Sequence, residues 1–245
     1  GNMAEALFLG VDVGTGSARA ALYNSQGLCE GHAASAFPTF GVEGAPEVKE
    51  QRSGDIWESI CAAVRDALAS CADEEAGKRV SGVGVTATCS LVVESEVVTP
   101  KRAEALNGRD VILWMDHRAV AEADWINGDA GYHPALDAVG GRISPEMELP
   151  KLLWLKKHKP ELWSRRPKFF DLTDFLTYRL TGDARLRSRC CVVCKWNFAW
   201  KSAKRKRDDA PDRFHPWKAG FLEHIGLGDL TPEQIGSDVR DPGDL

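Results

Sequence analysis

The stretch Ala6-Leu7-Phe8-Leu9-Gly10-Val11-Asp12-Val13-Gly14-Thr15-Gly16-Ser17-Ala18-Arg19-Ala20-Ala21-Leu22-Tyr23 decides the fold. Ala6–Asp12 is an apolar run of strand length, and Ala18–Tyr23 is a second. Asn24-Ser25-Gln26-Gly27 reads as a hairpin turn into a third strand, Leu28–Ser35. Three strands joined by hairpins exclude a dinucleotide fold, which alternates strand and helix from its start. They predict a mixed sheet with an antiparallel strand near its N-terminal edge.

Between the first two strands lies Asp12-Val13-Gly14-Thr15-Gly16-Ser17-Ala18-Arg19. It joins strand to strand and lacks Gly-Lys-Ser/Thr, so it is not the strand-to-helix loop of a Walker motif. Gly14 and Gly16 are expected to take positive φ and let the backbone approach a ligand. Successive backbone N–H groups in such a loop form a concave anion site. Thr15 and Ser17 add hydroxyl donors, and Arg19 adds a cation with reach to phosphate oxygens. Asp12 offers a carboxylate for magnesium, held directly or through water. The competing reading is a plain β-turn in which the glycines serve geometry and Asp12 a turn hydrogen bond. The functional reading requires an open groove beside the hairpin.

Beyond this region, Phe37–Glu47 is rich in Pro and Gly and reads as a loop. Ser53 is expected to cap a helix whose apolar positions Ile56, Trp57, Ile60, Ala63, Val64 and Leu68 recur at helical spacing. Val80–Val85, Ser90–Val93 and Val111–Trp114 read as further strands, and His117–Ile126 as a helix. The second half reads as mainly helical, at Pro145–Lys157, Thr173–Leu180 and Pro216–Ile225, with a short strand at Lys168–Leu172. Lys201–Arg207 carries five basic residues in seven and reads as a solvated loop.

Composition narrows the function. At 245 residues the chain has ample sequence for a buried core. The formal net charge of -5 speaks against a nucleic-acid binder. No apolar run approaches the roughly 18 residues needed to span a bilayer. Gly1-Asn2 ahead of Met3 reads as a leftover of expression cloning, so residues 1–3 are set aside as tag remnant and start. The seven cysteines, at 29, 61, 71, 89, 190, 191 and 194, are odd in number and irregular in spacing. They are not a disulfide framework, which points to a reducing, cytoplasmic compartment. Cys190, Cys191 and Cys194 lack a second metal-binding pair at suitable spacing and read as buried or half-buried free thiols.

At the glycine hairpin the sequence resembles the actin-like ATPase superfamily. Val111-Ile-Leu-Trp-Met-Asp-His-Arg-Ala119, Gly140–Leu155 and Phe169–Gly182 resemble the FGGY carbohydrate kinases. Thr86–Val93 and Cys194-Lys195-Trp196 are similar to the ribulokinase-like pentulose kinases of that family. The resemblance runs from Leu7 to about Gly243, so residues 1–245 are read as one N-terminal kinase domain. It implies an α/β, ribonuclease H-like fold with a mixed five-stranded sheet flanked by helices, plus helical insertions. It also implies a second, ATP-binding domain that is absent from these residues, with ATP and Mg2+ as cofactors and a pentulose, D-ribulose first, as substrate. A homodimer stays open, and nucleic acid and membrane are not expected partners.

Carried over by resemblance, Gly14, Thr15, Gly16, Ser17 and Arg19 face the ATP phosphates with Asp12 near magnesium. Ala87, Thr88 and Cys89 occupy the sugar-contacting turn. Trp114, Asp116, Glu148 and Lys195 are the further sugar contacts, and Asp171 and Asp174 read as a helix cap and a surface charge. Relatives often carry Asp where this chain has Thr86. The family's general-base aspartate sits in a G-x-x-D-A-H/Q-like segment that these residues do not contain. The resemblance therefore implies that the base lies beyond Leu245 and that the chain by itself is inactive. A competing reading is a non-catalytic, nucleotide-gated module of the actin-like type.

Overall fold

A computed structural model of the chain describes residues 6–94, 106, 108–198, 220–241 and 243–244. Its strands are β1 (Leu7–Val13), β2 (Ser17–Asn24), β3 (Cys29–Ala36), β4 (Phe40–Val42), β5 (Ala45–Gln51), β6 (Val80–Ala87), β7 (Leu91–Glu94), β8 (Val111–Ile112), β9 (Lys168–Asp171), β10 (Leu186–Ser188) and β11 (Asp238–Arg240). Its α-helices are α1 (Ser53–Ala69), α2 (Val120–Asn127), α3 (Glu148–His158), α4 (Pro160–Ser164), α5 (Leu172–Thr181), α6 (Arg189–Lys195), α7 (Phe221–His224) and α8 (Pro232–Ile235). They form two compact units. The first is the chain up to Phe40 with Glu50–Thr88, and the second is Gly41–Lys49 with the chain from Cys89 onward.

The first unit holds the predicted mixed sheet, with four strands among the described residues in the order β3-β2-β1-β6. β1 runs antiparallel to β2 and parallel to β6, so Asp12 lies opposite Arg19 on one side and Thr86 on the other. Strand alternation sends Leu7, Val11, Val13, Ala20 and Leu22 to one buried face. Helix α1 covers that face with Ile56, Ile60, Ala63 and Ala67, a stripe at helical spacing. Each large side chain so buried contributes about 1.5–3 kcal/mol. α1 approaches β3 so closely that a Cβ on Gly31 would stand 2.5 Å from the Ala67 carbonyl oxygen. Ser53 is not the helix cap: Arg52 holds that position without a capping hydrogen bond from its side chain, and Ser53 is the first helical residue, buried.

The opposite face of the sheet carries Gly10, Asp12, Arg19, Ala21, Gly84 and Thr86, and they line an open trough of about 910 Å³.

The second unit contains a five-stranded sheet in the order β4-β5-β8-β7-β9. β7 is antiparallel to both β8 and β9. Here the reading of Phe37–Glu47 as a loop is corrected, because β4 and the start of β5 lie within it. Gly44, at φ 78°, makes the turn between them, and pairing within the sheet overrides the breaker composition. Helices supply the rest of the core, with Leu149, Leu152, Leu153, Phe169, Val192 and Trp196 buried together. Asp171 caps α5 by accepting the Thr173 N–H at 3.1 Å, as predicted, and Gly182 ends the helix in the left-handed region. The helix expected from His117 begins at Val120. Lys201–Arg207 and the start of the helix expected from Pro216 lie outside the described residues.

Candidate functional site

In the first unit the glycine hairpin is held by its own backbone. The Gly14 N–H donates to the Ser17 carbonyl at 2.9 Å, and Phe37 N–H donates to the Gly16 carbonyl at 3.1 Å. The Thr15 carbonyl accepts from Gln51 Nε2 at 2.6 Å and from Thr39 Oγ1 at 3.2 Å. Neither Gly14 nor Gly16 takes positive φ, which corrects the expected reason for these glycines. Space explains Gly14 but not Gly16. A Cβ on Gly14 would lie 2.9 Å from the Arg19 guanidinium, whereas a Cβ on Gly16 would meet nothing within 4 Å.

Arg19 sits directly across from Asp12, so their side chains share the open face and pair at 2.9 Å. The two are 58% and 50% exposed, and such a pair contributes about 0–1 kcal/mol. It can be exchanged at little cost for the charges of a ligand. Asp12 and Arg19 line the trough on this face of the sheet, whose lining includes none of residues 13–18. Ala87 ends β6, and the Thr88 N–H donates to the Val13 carbonyl at 2.9 Å, which fixes this turn beside the hairpin.

The second unit contains a different kind of site, a buried cluster of charges. Glu148, in the first turn of α3, is fully buried, and neither carboxylate oxygen has a hydrogen-bond partner among the described residues. Burial pushes its carboxyl up to about 8, with Lys151 pulling it down and Asp171 pushing it further up. Lys151 lies one turn along the same helix, its Nζ 4.0 Å from Glu148 Oε2 and donating to the Leu113 carbonyl at 3.0 Å. Burial lowers the Lys151 ammonium, while Glu148 and Asp116 raise it. Burial likewise raises Asp171 to about 6 and Asp174 to about 7. Each of these two leaves one oxygen, Oδ2, without a partner among the described residues. Lys195 acts on Glu148, Lys151, Asp171 and Cys89. The Cys89 thiol is pushed up to about 11 by burial and then by Asp171.

The cluster thus brings together Cys89, Glu148 and Lys195, three of the sequence-predicted sugar contacts. Asp116 belongs to it differently. Its Oδ2 accepts from Lys49 N–H and Arg118 Nη2, both at 2.7 Å, and its Oδ1 from Arg118 N–H and Nε, both at 2.9 Å. A carboxylate has about four acceptor sites, and these four bonds occupy them. Trp114 is half-buried, with its N–H donating to Ser90 Oγ at 3.1 Å. Asp174 is not a surface charge: it is 2% exposed and accepts the Ser188 N–H at 2.7 Å. Sequence reading missed Lys151, the hub of the cluster. Its signal was the i, i+3 spacing from Glu148. Among the described residues no group of three or more His, Cys, Asp or Glu side chains is placed to hold a metal ion.

Residues 7–192 match the model of the N-terminal domain of the FGGY family of carbohydrate kinases. The chain is similar to an FGGY carbohydrate kinase domain-containing protein of Homo sapiens, 38% identical over 98% of this chain and 40% of that protein. It is also similar to D-ribulokinase YDR109C of Saccharomyces cerevisiae, 37% identical over 96% of this chain and 32% of that protein. The chain therefore spans about 40% or less of the length of these curated relatives. Among solved structures it is similar in fold to a xyloylose kinase from Brucella ovis, with TM-score 0.72 and 19% identity over 96% of this chain and 42% of that one. A gluconate kinase from Lactobacillus acidophilus gives TM-score 0.71 and 16% identity over 98% and 42% of the two chains.

Proposed function

The chain belongs to the FGGY family of carbohydrate kinases, and from that premise we propose that it is the sugar-binding half of an ATP-dependent pentulose kinase. The substrate we assign is D-ribulose, which the likeness to a protein named D-ribulokinase supports. The observation that carries the phosphate side is the half-exposed Asp12–Arg19 pair beside the open Gly16.

The residues present fit ATP and magnesium. Gly16 leaves room for an anion, Arg19 supplies a positive charge, and Asp12 an exposed carboxylate. Bound ATP with Mg2+ supplies the γ-phosphoryl group and neutralises part of its charge. Arg19 would hold phosphate oxygens and Asp12 would hold the cation, directly or through water. The chain's other task is to hold the sugar. Lys195 and the unpartnered oxygens of Glu148 and Asp171 supply a donor and acceptors for polyol hydroxyls. Positioning and exclusion of water direct the phosphoryl group to a sugar hydroxyl rather than to solvent.

We place the general base outside these 245 residues, a reading supported by the greater length of the relatives. Seven free cysteines support a reducing, cytoplasmic setting. Among the described residues no helix is long and apolar enough to cross a membrane. The test is a coupled ADP-release assay with ATP and D-ribulose, run beside thermal unfolding with D-ribulose, L-ribulose, D-xylulose and glycerol. The expected result is stabilisation by D-ribulose above the other three and no ADP release. Turnover by the 245-residue chain would refute the placement of the base. Nucleotide-dependent association with no response to any pentulose would favour a non-catalytic actin-like module.

A further inference from the structure

Four of the seven cysteines, Cys89, Cys190, Cys191 and Cys194, belong to the second unit and act on one another electrostatically. Cys191 is buried, and burial and the charges of Asp171 and Asp174 push its thiol up. Cys190 and Cys194 are different. Both are exposed, and they stand one turn apart on α6. The expectation that this cluster is buried or half-buried holds only for Cys191. Lys195 directly follows Cys194 and ends the helix.

We propose that Cys190 and Cys194 form a dithiol modification site, oxidised by hydroperoxides to a disulfide, and that this bond displaces Lys195 from the sugar. The second half rests on the reading of Lys195 as a sugar contact. The exposed Cys190 sulfur attacks the peroxide, breaks its O–O bond and becomes a sulfenic acid, releasing one water. The Cys194 sulfur then displaces the sulfenic oxygen, which leaves as a second water with the Cys194 proton. Two thiols and one hydrogen peroxide thus give one disulfide and two waters. Burial and the neighbouring Cys190 raise the Cys194 thiol, so it carries that proton at neutral pH.

Geometry supplies the coupling. Cβ atoms one helical turn apart stand about 5–6 Å from each other. A disulfide needs about 3.5–4.5 Å. The bond therefore closes only if the last turn of the seven-residue α6 tightens or unwinds, and that turn carries Lys195. A bond strained in this way is readily reduced, so the modification is reversible.

Trypsin releases Cys190–Lys195 as one peptide with three cysteines, because Arg189 precedes it. After hydrogen peroxide treatment, denaturation and alkylation, the expected peptide is two hydrogens lighter and carries one alkyl group, on Cys191. Apparent affinity for D-ribulose, read by thermal shift, should fall roughly tenfold, the scale of one lost charged contact. Dithiothreitol should restore it. Cys194→Ser should abolish both effects, and Cys191→Ser should retain them. Full alkylation after peroxide, a bond to Cys89, or over-oxidised Cys190 in place of the disulfide would overturn the site. A disulfide that leaves D-ribulose affinity unchanged would overturn the coupling. A reduced protein with no D-ribulose response would sink the proposed function and the coupling with it, while the mass measurement still decides the disulfide.

Discussion

The hairpin of the first unit and the cluster of the second both bring opposite charges together, and they do so under opposite conditions. Asp12 and Arg19 pair in solvent on the open face of a sheet. Glu148 and Lys151 meet where neither is exposed at all. In water, exchanging one ion partner for another is nearly free, which suits a place where a ligand's charges come and go. In the interior each charge is costly unless satisfied, so a buried cluster fixes geometry and ties stability to protonation. Charge count alone does not separate the two; desolvation does.

The largest expected effect lies at the hub. Lys151→Ala should destabilise the second unit by about 2–5 kcal/mol, because it empties a buried site and leaves the Leu113 carbonyl without its Nζ donor. Arg19→Ala should cost under about 1 kcal/mol. Urea unfolding of both variants measures the contrast, and equal losses would break it.

Next in size is the response to pH. Burial raises Glu148 from 4.5 to about 8, Asp174 from 3.8 to about 7 and Asp171 from 3.8 to about 6. A carboxyl with a raised folded value stabilises fully below its unfolded value, and that contribution is lost as pH rises through the folded value. Stability should therefore decline from about pH 4 to about pH 8, with Glu148 responsible for the upper end. Glu148→Gln should flatten the curve between pH 6 and 8.5 by on the order of 2 kcal/mol. Calorimetry across that range checks this, and an unchanged slope would mean that Glu148 ionises normally.

The smallest effect is expected at Gly16→Ala, within about 0.5 kcal/mol of the parent, because the new methyl meets open space without positive φ. A large loss in thermal unfolding would show that the hairpin needs glycine for its own conformation.

The two regions also differed in how far the sequence revealed them. The hairpin was legible because it is local: apolar runs of strand length flank a turn, and the register follows from the chain itself. The helix of the first unit was legible from the spacing of Ile56, Ile60 and Ala63. β4 and β5 were not, because Pro38, Pro46 and Gly44 read as breakers and only pairing with β8 makes strands of their surroundings. The cluster was half legible. Glu148, Lys195 and Cys89 came from the family resemblance, whereas Lys151 and Asp174 look in sequence like ordinary solvent-facing charges. Their burial is set by partners far along the chain, Leu113 for one and Ser188 for the other. The bonds that hold Asp116 were not legible either, since they depend on Lys49 as well as on the nearby Arg118.

Assigning phosphates to the exposed hairpin and sugar to the buried cluster makes one direct test decisive. D-ribulose is titrated into the parent chain, Lys195→Met and Asp12→Asn, with unfolding temperature as the readout. A ligand at a hundredfold excess over its Kd stabilises by about 2.7 kcal/mol. The account predicts that response in the parent and in Asp12→Asn, and its loss in Lys195→Met. A response that survives in Lys195→Met and vanishes in Asp12→Asn would contradict it.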